Sequence, residues 1–481
     1  MMSFSAVAPE VWIAIGVLGV VGFEALRAHL PEHVLKTAIP ATALLALALA
    51  LMEALFWNGA SQGVFYDGTL VIDAFSRVFV AAACLGSLVI LIYSIGDMER
   101  QGLGGGEYYA LVLTATLGVL AIITAASLLV LYLGLELLSL SLYTLISIDR
   151  ERVPAAEAAM KYFFLGAIAS GVLLYGLSLL YGLRGTLSIE SLSTGLAVTG
   201  AGAVLAFLAA VFVLVALSFK FGAAPFHMWV PDVYEGAPTP ITLFVATLPE
   251  LASIALFVRL LVSGLHPLVR DWSGMLIGIA ILSLLIGNLG ALLQSNFKRL
   301  LAYSAIGHVG FILLGIATGT RQGEIAAVYY TLVYVLMTGV AFGLLLAIRA
   351  RGHDIEAIDD LAGLGQSHPW WSLLMLFAMF SLAGVPPFVG FWAKMAILRA
   401  LLGAGLPIVT VFAVLMAVIG AFYYLRVVKV MYFDRTDHPV VARGNFWNVP
   451  DFILSLNGVA LFVLGLVPNA LWALCVWAVR R

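Results

Sequence analysis

Apolar residues along this chain gather into runs of about twenty or more, and Arg, Glu, Asp, Gly and Pro collect in the short stretches between them. An α-helix rises 1.5 Å per residue, so about 20 mostly apolar residues are needed to cross the hydrocarbon core of a bilayer. About fourteen runs meet that length: roughly 9–27, 36–57, 71–95, 107–125, 127–148, 155–181, 197–225, 238–263, 272–294, 300–318, 323–349, 370–402, 406–432 and 451–478. Together they use most of the 481 residues and leave no room for a soluble catalytic domain. The pattern predicts an all-α polytopic membrane protein with residues 1–481 in one membrane domain.

Polar interruptions of these runs carry the functional information. Lys220 lies within LAAVFVLVALSFKFGAAPF and Lys394 within SLAGVPPFVGFWAKMAILRALL, while Glu136 sits in SLLVLYLGLELLSLSLYTLI and Glu250 in TPITLFVATLPELASIALFVRLL. A charge at a helix centre costs roughly 2.5–3.5 kcal/mol even on the lenient insertion scale. Four such residues point to an internal polar pathway and to proton translocation. A proton carrier must exist in both charge states near neutral pH. Desolvation lowers a lysine's affinity for its proton and a nearby carboxylate restores it, so a glutamate that approaches or leaves a lysine switches retention and release. Tyr132, Glu136, Ser139 and Tyr143 recur at i, i+4, i+7 and i+11 and so share one helix face; Thr331, Tyr334 and Thr338 form a similar stripe. Plainer readings stand beside these. Glu136 and Lys220 can form a static ion pair, Lys394 can cap a broken helix, and a neighbouring cation can make Glu250 harmless. Lys161, near a membrane edge, reads as a snorkelling anchor or a relay member. His308 reads as a hydrogen-bonded packing residue or a relay site.

A repeat is visible within the chain. Gly222-Ala-Ala-Pro225-Phe226 and Gly384-Val-Pro-Pro387-Phe388 share a GxxPF core, followed by Trp229 and Trp392. They fall in the seventh and twelfth runs, an odd number of crossings apart, so the two copies point in opposite directions. Inverted repeats with Gly/Pro-interrupted helices are the architecture that places ion sites near the bilayer midplane. Proline removes a backbone donor and breaks the helix, and the freed carbonyls can line a hydrated cavity. The expected organisation is a first repeat over about 107–263 and an inverted second over about 272–432. The first three crossings and the fourteenth flank them, and helices 7 and 12 are discontinuous.

Composition narrows the class further. The chain is 63% hydrophobic and 10% charged, with mean hydropathy +1.09, against about a quarter charged in an ordinary soluble domain. A net charge of −2 points to neither nucleic acid nor an acidic substrate. Cys84 and Cys475 sit in apolar runs without a CxxC neighbourhood, which disfavours a disulfide, metal or iron–sulfur role. Gly102-Leu-Gly-Gly-Gly106 joins two membrane helices and is no nucleotide loop. Without a basic stretch and cleavage site at the start, the first run is expected to be retained. Arg27, Lys36, Arg100, Arg150, Arg152, Lys298, Arg299, Arg349, Arg351, Arg435 and Arg443 follow odd-numbered helices, whereas only Arg184, Arg270 and Arg321 follow even ones. Positive-inside bias then puts both termini outside, although Arg480 and Arg481 run against it.

The stretch Lys220-Phe-Gly-Ala-Ala-Pro-Phe-His-Met-Trp-Val-Pro-Asp-Val-Tyr-Glu-Gly-Ala-Pro-Thr239 resembles the signature of the antiporter-like membrane subunits of respiratory complex I, and its PDVYEGAPTP part is similar to the subunit N branch. Leu135-Glu136-Leu137, Lys161-Tyr-Phe, Lys298-Arg-Leu-Leu-Ala-Tyr-Ser304 and His308-Val-Gly match as well, so the resemblance covers nearly the whole chain. It implies fourteen helices in two inverted five-helix units, with proton transfer driven by quinone reduction elsewhere in a proton-pumping NADH:quinone oxidoreductase. Glu136 matches the family's helix-five glutamate, Lys220 its helix-seven lysine and Lys394 its helix-twelve lysine. Where helix eight commonly carries a lysine, aligned through Thr-Pro-Ile-Thr242, this chain has Glu250. The resemblance further implies a translocase subunit with no redox site and no cofactor of its own. NADH, FMN, iron–sulfur clusters and quinone are expected in partner subunits. Expected partners are the other membrane subunits, further antiporter-like ones among them, and membrane lipid. The expected place is a bacterial inner (plasma) membrane, both termini periplasmic. The alternative is a subunit of a multisubunit sodium/proton antiporter; PDVYEGAPTP and a lysine at 394 favour the complex I subunit.

Overall fold

The structure is a computed structural model and describes residues 6–56, 62–196, 200–350, 353–435, 440–442 and 448–480. Arg351, Arg443 and Arg481, used above to read orientation, lie outside the described residues. In chain order the helices are α1 (Ala8–Ala25), α2 (Glu32–Leu55), α3 (Ala74–Arg100), α4 (Gly106–Ile123), α5 (Leu128–Ile146), α6 (Val153–Arg184), α7 (Ile189–Ser193), α8 (Ala201–Lys220), α9 (Trp229–Gly236), α10 (Thr239–Val245), α11 (Leu248–Leu256), α12 (Val269–Leu292), α13 (Phe297–Ala317), α14 (Arg321–Ala347), α15 (Leu364–Ser367), α16 (Pro369–Ala383), α17 (Val389–Gly403), α18 (Pro407–Phe433), α19 (Val449–Leu466) and α20 (Pro468–Ala478). Among the described residues thirteen helical spans are long and apolar enough to cross a membrane. The run at 370–402 is absent from them because it is broken into α16 and α17.

Both expected breaks occur, and local chemistry accounts for them. After α8 the chain leaves helical geometry over 221–228 before α9 begins, with Gly222 in the left-handed region at φ 66°. Gly384 ends α16 in the same region at φ 83°, its N–H and that of Val385 both reaching the carbonyl of Phe380. That is the glycine-terminated helix end in which left-handed backbone closes the last turn, and the prolines that follow cannot continue it. Two further breaks were not expected. The run at 238–263 divides into α10, α11 and a π-helical turn over Phe257–Gly264. Pro249 has no N–H for the preceding turn and its ring crowds it, which separates α10 from α11. Pro468 likewise divides the last run into α19 and α20.

The chain forms two compact units: Met1–Lys220 with Leu248–Trp272 and Val476–Arg481, and Phe221–Thr247 with Ser273–Cys475. In the first, α4 packs on α5 through paired glycines; a Cβ on Gly118 would lie 2.6 Å from the Leu138 nitrogen. Such small residues let membrane helices approach at backbone distance. Here α11, buried on every face, packs against α3, α4 and α8. Arg259, in the π-helical turn, donates to both Asp73 carboxylate oxygens at 2.6 and 3.0 Å and to the Ile123 carbonyl at 3.0 and 3.2 Å. Asp73 also accepts from the Ser76 N–H and so caps α3. In the second unit, α13, α14, α16, α17 and α19 pack together, and α13 is almost wholly buried. Short antiparallel strand pairs join Gly63–Phe65 to Leu70–Ile72 and Ile348–Ala350 to Val440–Ala442.

Candidate functional site

Within the first unit, Lys220, the last residue of α8, donates to the Ser139 hydroxyl of α5 at 2.8 Å. Glu136 is one turn away on the same face of α5, and its Oε1 is buried with no hydrogen-bond partner among the described residues. The expected stripe is therefore real, but its hydroxyl takes the ammonium. No Glu136–Lys220 ion pair is closed among the described residues; the two are near enough to interact electrostatically. An unpartnered carboxylate oxygen in a buried place calls for an explanation, because the group forfeits its hydration. Beside the pair lies a void of about 20 Å³ lined by Ser139, Tyr162, Lys220, Pro249 and Ser253, room for about one water. Tyr143 meets Tyr162 edge-on at 4.9 Å, and Gly166 leaves the space its hydroxyl occupies.

Glu250 sits one residue past Pro249 in α11 and is 7% exposed, with Oε2 buried and unpartnered among the described residues. Helix α11 thus brings Glu250 into the unit that holds Lys220 and Glu136. Lys161 is on the exposed side of α6 and pairs with Glu157 at 2.8 Å, one turn earlier.

In the second unit, Lys394 of α17 turns back to the end of α16. Its ammonium donates to the carbonyls of Leu382 at 3.0 Å and Ala383 at 2.7 Å. The last carbonyls of a helix lack intrahelical partners and carry the negative end of its dipole, so a cation there satisfies both needs. The same ammonium lies 5.6 Å from the Phe311 ring centroid, and Phe311 stacks on Tyr330. Tyr330 and Tyr424 hold the two ring nitrogens of His308, at 2.7 Å on Nδ1 and 2.9 Å on Nε2. Tyr424 continues to the Ser304 hydroxyl, and Tyr423 donates to Asn288 Oδ1 at 3.2 Å. A neutral imidazole offers one donor and one acceptor, so a hydroxyl on each side allows a proton to arrive at one nitrogen as another leaves.

Sequence reasoning missed Tyr330, Tyr424 and Asn288. It also counted Lys298 and Arg299 as loop charges. Lys298 is 3% exposed and donates to the Ala237 carbonyl at 2.8 Å, and Arg299 bridges Asp232 at 3.0 Å and Glu235 at 2.8 Å, tying α13 to α9. The Ala237 carbonyl that Lys298 holds and the Asp232 and Glu235 carboxylates that Arg299 holds all belong to the PDVYEGA stretch. Among the described residues no cluster of His, Cys, Asp and Glu has a metal-holding arrangement.

The family described as NADH:quinone oxidoreductase/Mrp antiporter, TM, matches residues 125–420. NADH-quinone oxidoreductase subunit N of Thioalkalivibrio sulfidiphilus is 47% identical over 439 residues, 91% of this chain and 89% of that protein. A chain of respiratory complex I from Thermus thermophilus, solved with bound aureothin, is 36% identical with a TM-score of 0.80, over 96% of this chain and 98% of that one. A chain of the Mrp complex from a Dietzia species has a TM-score of 0.84 at 22% identity, over 99% of this chain and 97% of that one, a likeness of fold alone.

Proposed function

The chain belongs to the NADH:quinone oxidoreductase/Mrp antiporter membrane family, among the subunit N proteins of NADH-quinone oxidoreductase, and we propose that Glu136, Lys220, Glu250, His308 and Lys394 are the stations of its proton path. It is a proton-translocating membrane subunit of that complex, and the other membrane subunits of complex I are its partners. The observation that carries the proposed path is the open arrangement at Lys220. A neutral hydroxyl holds the ammonium at 2.8 Å while the neighbouring Glu136 oxygen waits unpaired. A static ion pair would have closed; an open one leaves the carboxylate able to hold or release the lysine's proton as it moves. Lys161, exposed and paired with Glu157, serves at the membrane edge in this reading.

Residues about 107–263 and 272–432 act as two inverted repeats. The paired GxxPF breaks support this, each with a left-handed glycine and a lysine close by in sequence. Redox chemistry with NADH, FMN, iron–sulfur clusters and quinone belongs to partner subunits. The bacterial relatives support a bacterial inner membrane, and the loop-charge asymmetry supports both termini on the periplasmic side. The antiporter alternative is disfavoured by 47% identity to a subunit N against 22% to the Mrp chain.

The test is proton uptake by proteoliposomes holding the complete complex during NADH:quinone turnover. Lys220→Ala is expected to leave the complex assembled and to lose most coupled turnover. Lys220→Arg should fail nearly as badly, since guanidinium keeps its proton above pH 12. Wild-type pumping by Lys220→Arg overturns the assignment.

A further inference from the structure

Away from the lysine clusters, the second unit contains a void of about 410 Å³ where three helix ends meet: the start of α14, the end of α17 and the start of α20. Gln322, Arg399 and Asn469 line it close to those ends. Tyr329 and Trp392 line it seven residues further from those ends along α14 and α17, about 10 Å deeper at 1.5 Å per residue. Trp472 closes the wall, meeting Tyr329 edge-on at 5.5 Å. Two groups here lack partners. Arg399 is exposed and has no ion pair among the described residues. Tyr329 is 1% exposed, yet its hydroxyl has no hydrogen-bond partner among them. Leu402 and Leu474, on the same helices, are exposed apolar residues, as at a surface that meets hydrocarbon.

An unpaired guanidinium and two amides at a helix-end rim, over an aromatic floor about two helical turns deeper, have the polarity profile of a membrane amphiphile. Trp and Tyr favour that interfacial depth. A guanidinium fork matches phosphate oxygens bidentately. We propose that this void seats one acidic phospholipid. Its phosphodiester lies on Arg399 with Gln322 and Asn469 as flanking donors, the Tyr329 hydroxyl takes an ester carbonyl, and the first methylenes of one acyl chain run along Trp392 and Trp472. The unpaired positive charge selects an anionic over a zwitterionic headgroup.

The test uses the intact complex, washed in mild detergent and analysed for retained lipid by extraction and mass spectrometry, with a density map of the wild type. Wild type is expected to keep one more phosphatidylglycerol per complex than Arg399→Glu, and Tyr329→Phe to lose that lipid several-fold faster in the wash. Arg321→Glu changes a neighbouring charge that does not line the void and should keep the lipid. Added phosphatidylglycerol should refill the washed wild type, and phosphatidylcholine or inorganic phosphate should not. Equal retention by wild type and Arg399→Glu, equal loss in Arg321→Glu, or refilling by phosphatidylcholine or phosphate overturns the proposal. So does a helix of a neighbouring subunit occupying the void in the map.

Discussion

The Lys394 ammonium lies 2.7 Å from the carbonyl oxygen of Ala383, the last residue of the half-helix α16. One side chain therefore does two things. It caps the broken helix, and in the proposed path it carries a proton. The two roles separate by substitution. Lys394→Arg keeps a cation within reach of the Leu382 and Ala383 carbonyls and should assemble normally, but it should lose proton movement because arginine does not release its proton. Lys394→Met removes both roles; a cation at a helix C-terminus is worth up to about 2 kcal/mol in a partly buried place, so some loss of assembled complex is expected beside the loss of pumping. An unchanged proton-to-electron ratio in the arginine variant would confine Lys394 to capping.

Glu136 is tested by keeping its shape. Glu136→Gln retains size and hydrogen bonding and removes the charge, while Glu136→Asp keeps the charge at a shorter reach. A hydrogen bond to a charged group is worth about 1.5–3 kcal/mol, which in a rate is roughly ten- to a hundredfold. Coupled turnover per assembled complex is expected to fall by that order in the glutamine variant and to survive in part with aspartate. Ser139→Ala, which removes the hydroxyl now holding Lys220, should alter turnover less than Glu136→Gln. If Glu136→Gln lowers only the amount of complex, with normal turnover for what remains, a static pair is the better description.

Much of this arrangement was legible because it is written in local chemistry. The breaks after Lys220 and after Ala383 follow from glycine and proline within five residues, and the stripe holding Glu136 and Ser139 follows from helical spacing. What escaped depends on distance in sequence. Tyr330 and Tyr424 reach His308 from 22 and 116 residues away, on helices whose apolar pattern gives no hint of which tyrosine faces inward. The stripe containing Tyr334 pointed to the correct helix; its ring does lie 5.3 Å from that of His308, but Tyr330 makes the hydrogen bond. The break at Pro249 was missed because it falls inside a long apolar run, with Thr247 and Glu250 beside it but no polar loop to mark it.

Arg259 offers a prediction about stability. It joins Asp73 and the end of α4 to the π-helical turn that continues α11, the helix bearing Glu250. Removing one partner of a buried pair costs about 3–5 kcal/mol. The Asp73 side chain keeps 35% exposure, so Arg259→Leu should fall at the low end of that range, read as a lower unfolding temperature of the detergent-solubilised complex. Burial raises the Asp73 carboxyl, but the facing guanidinium outweighs it and holds the group below its usual range. A depressed carboxyl contributes stability that is complete above its unfolded value of about 4 and is lost as pH falls through the folded value. The clamp should thus be insensitive to pH between about 5 and 8. A wild-type unfolding temperature in Arg259→Leu would show that the clamp is dispensable.

The final prediction concerns Glu250, the position where the resemblance to complex I membrane subunits implies a lysine. Glu250 is buried in α11 with an oxygen that no described residue satisfies, and such an oxygen needs a proton, a water or a cation to be tolerated in apolar surroundings. If it is a working station, Glu250→Gln removes the titratable group while keeping the volume, and pumping should fall about tenfold or more at unchanged assembly, the rate scale of a single lost interaction of about 1.4 kcal/mol. Glu250→Lys supplies a titratable group of the other sign and should keep part of the activity. A merely accommodated Glu250 predicts the reverse order. Glutamine then satisfies the site better than an unpaired carboxylate does and is harmless, whereas lysine adds a further buried cation to the unit that holds Lys220. Proton uptake per electron in the two variants, measured in proteoliposomes of the complete complex, decides between the two orders, and a fully active glutamine variant removes Glu250 from the path.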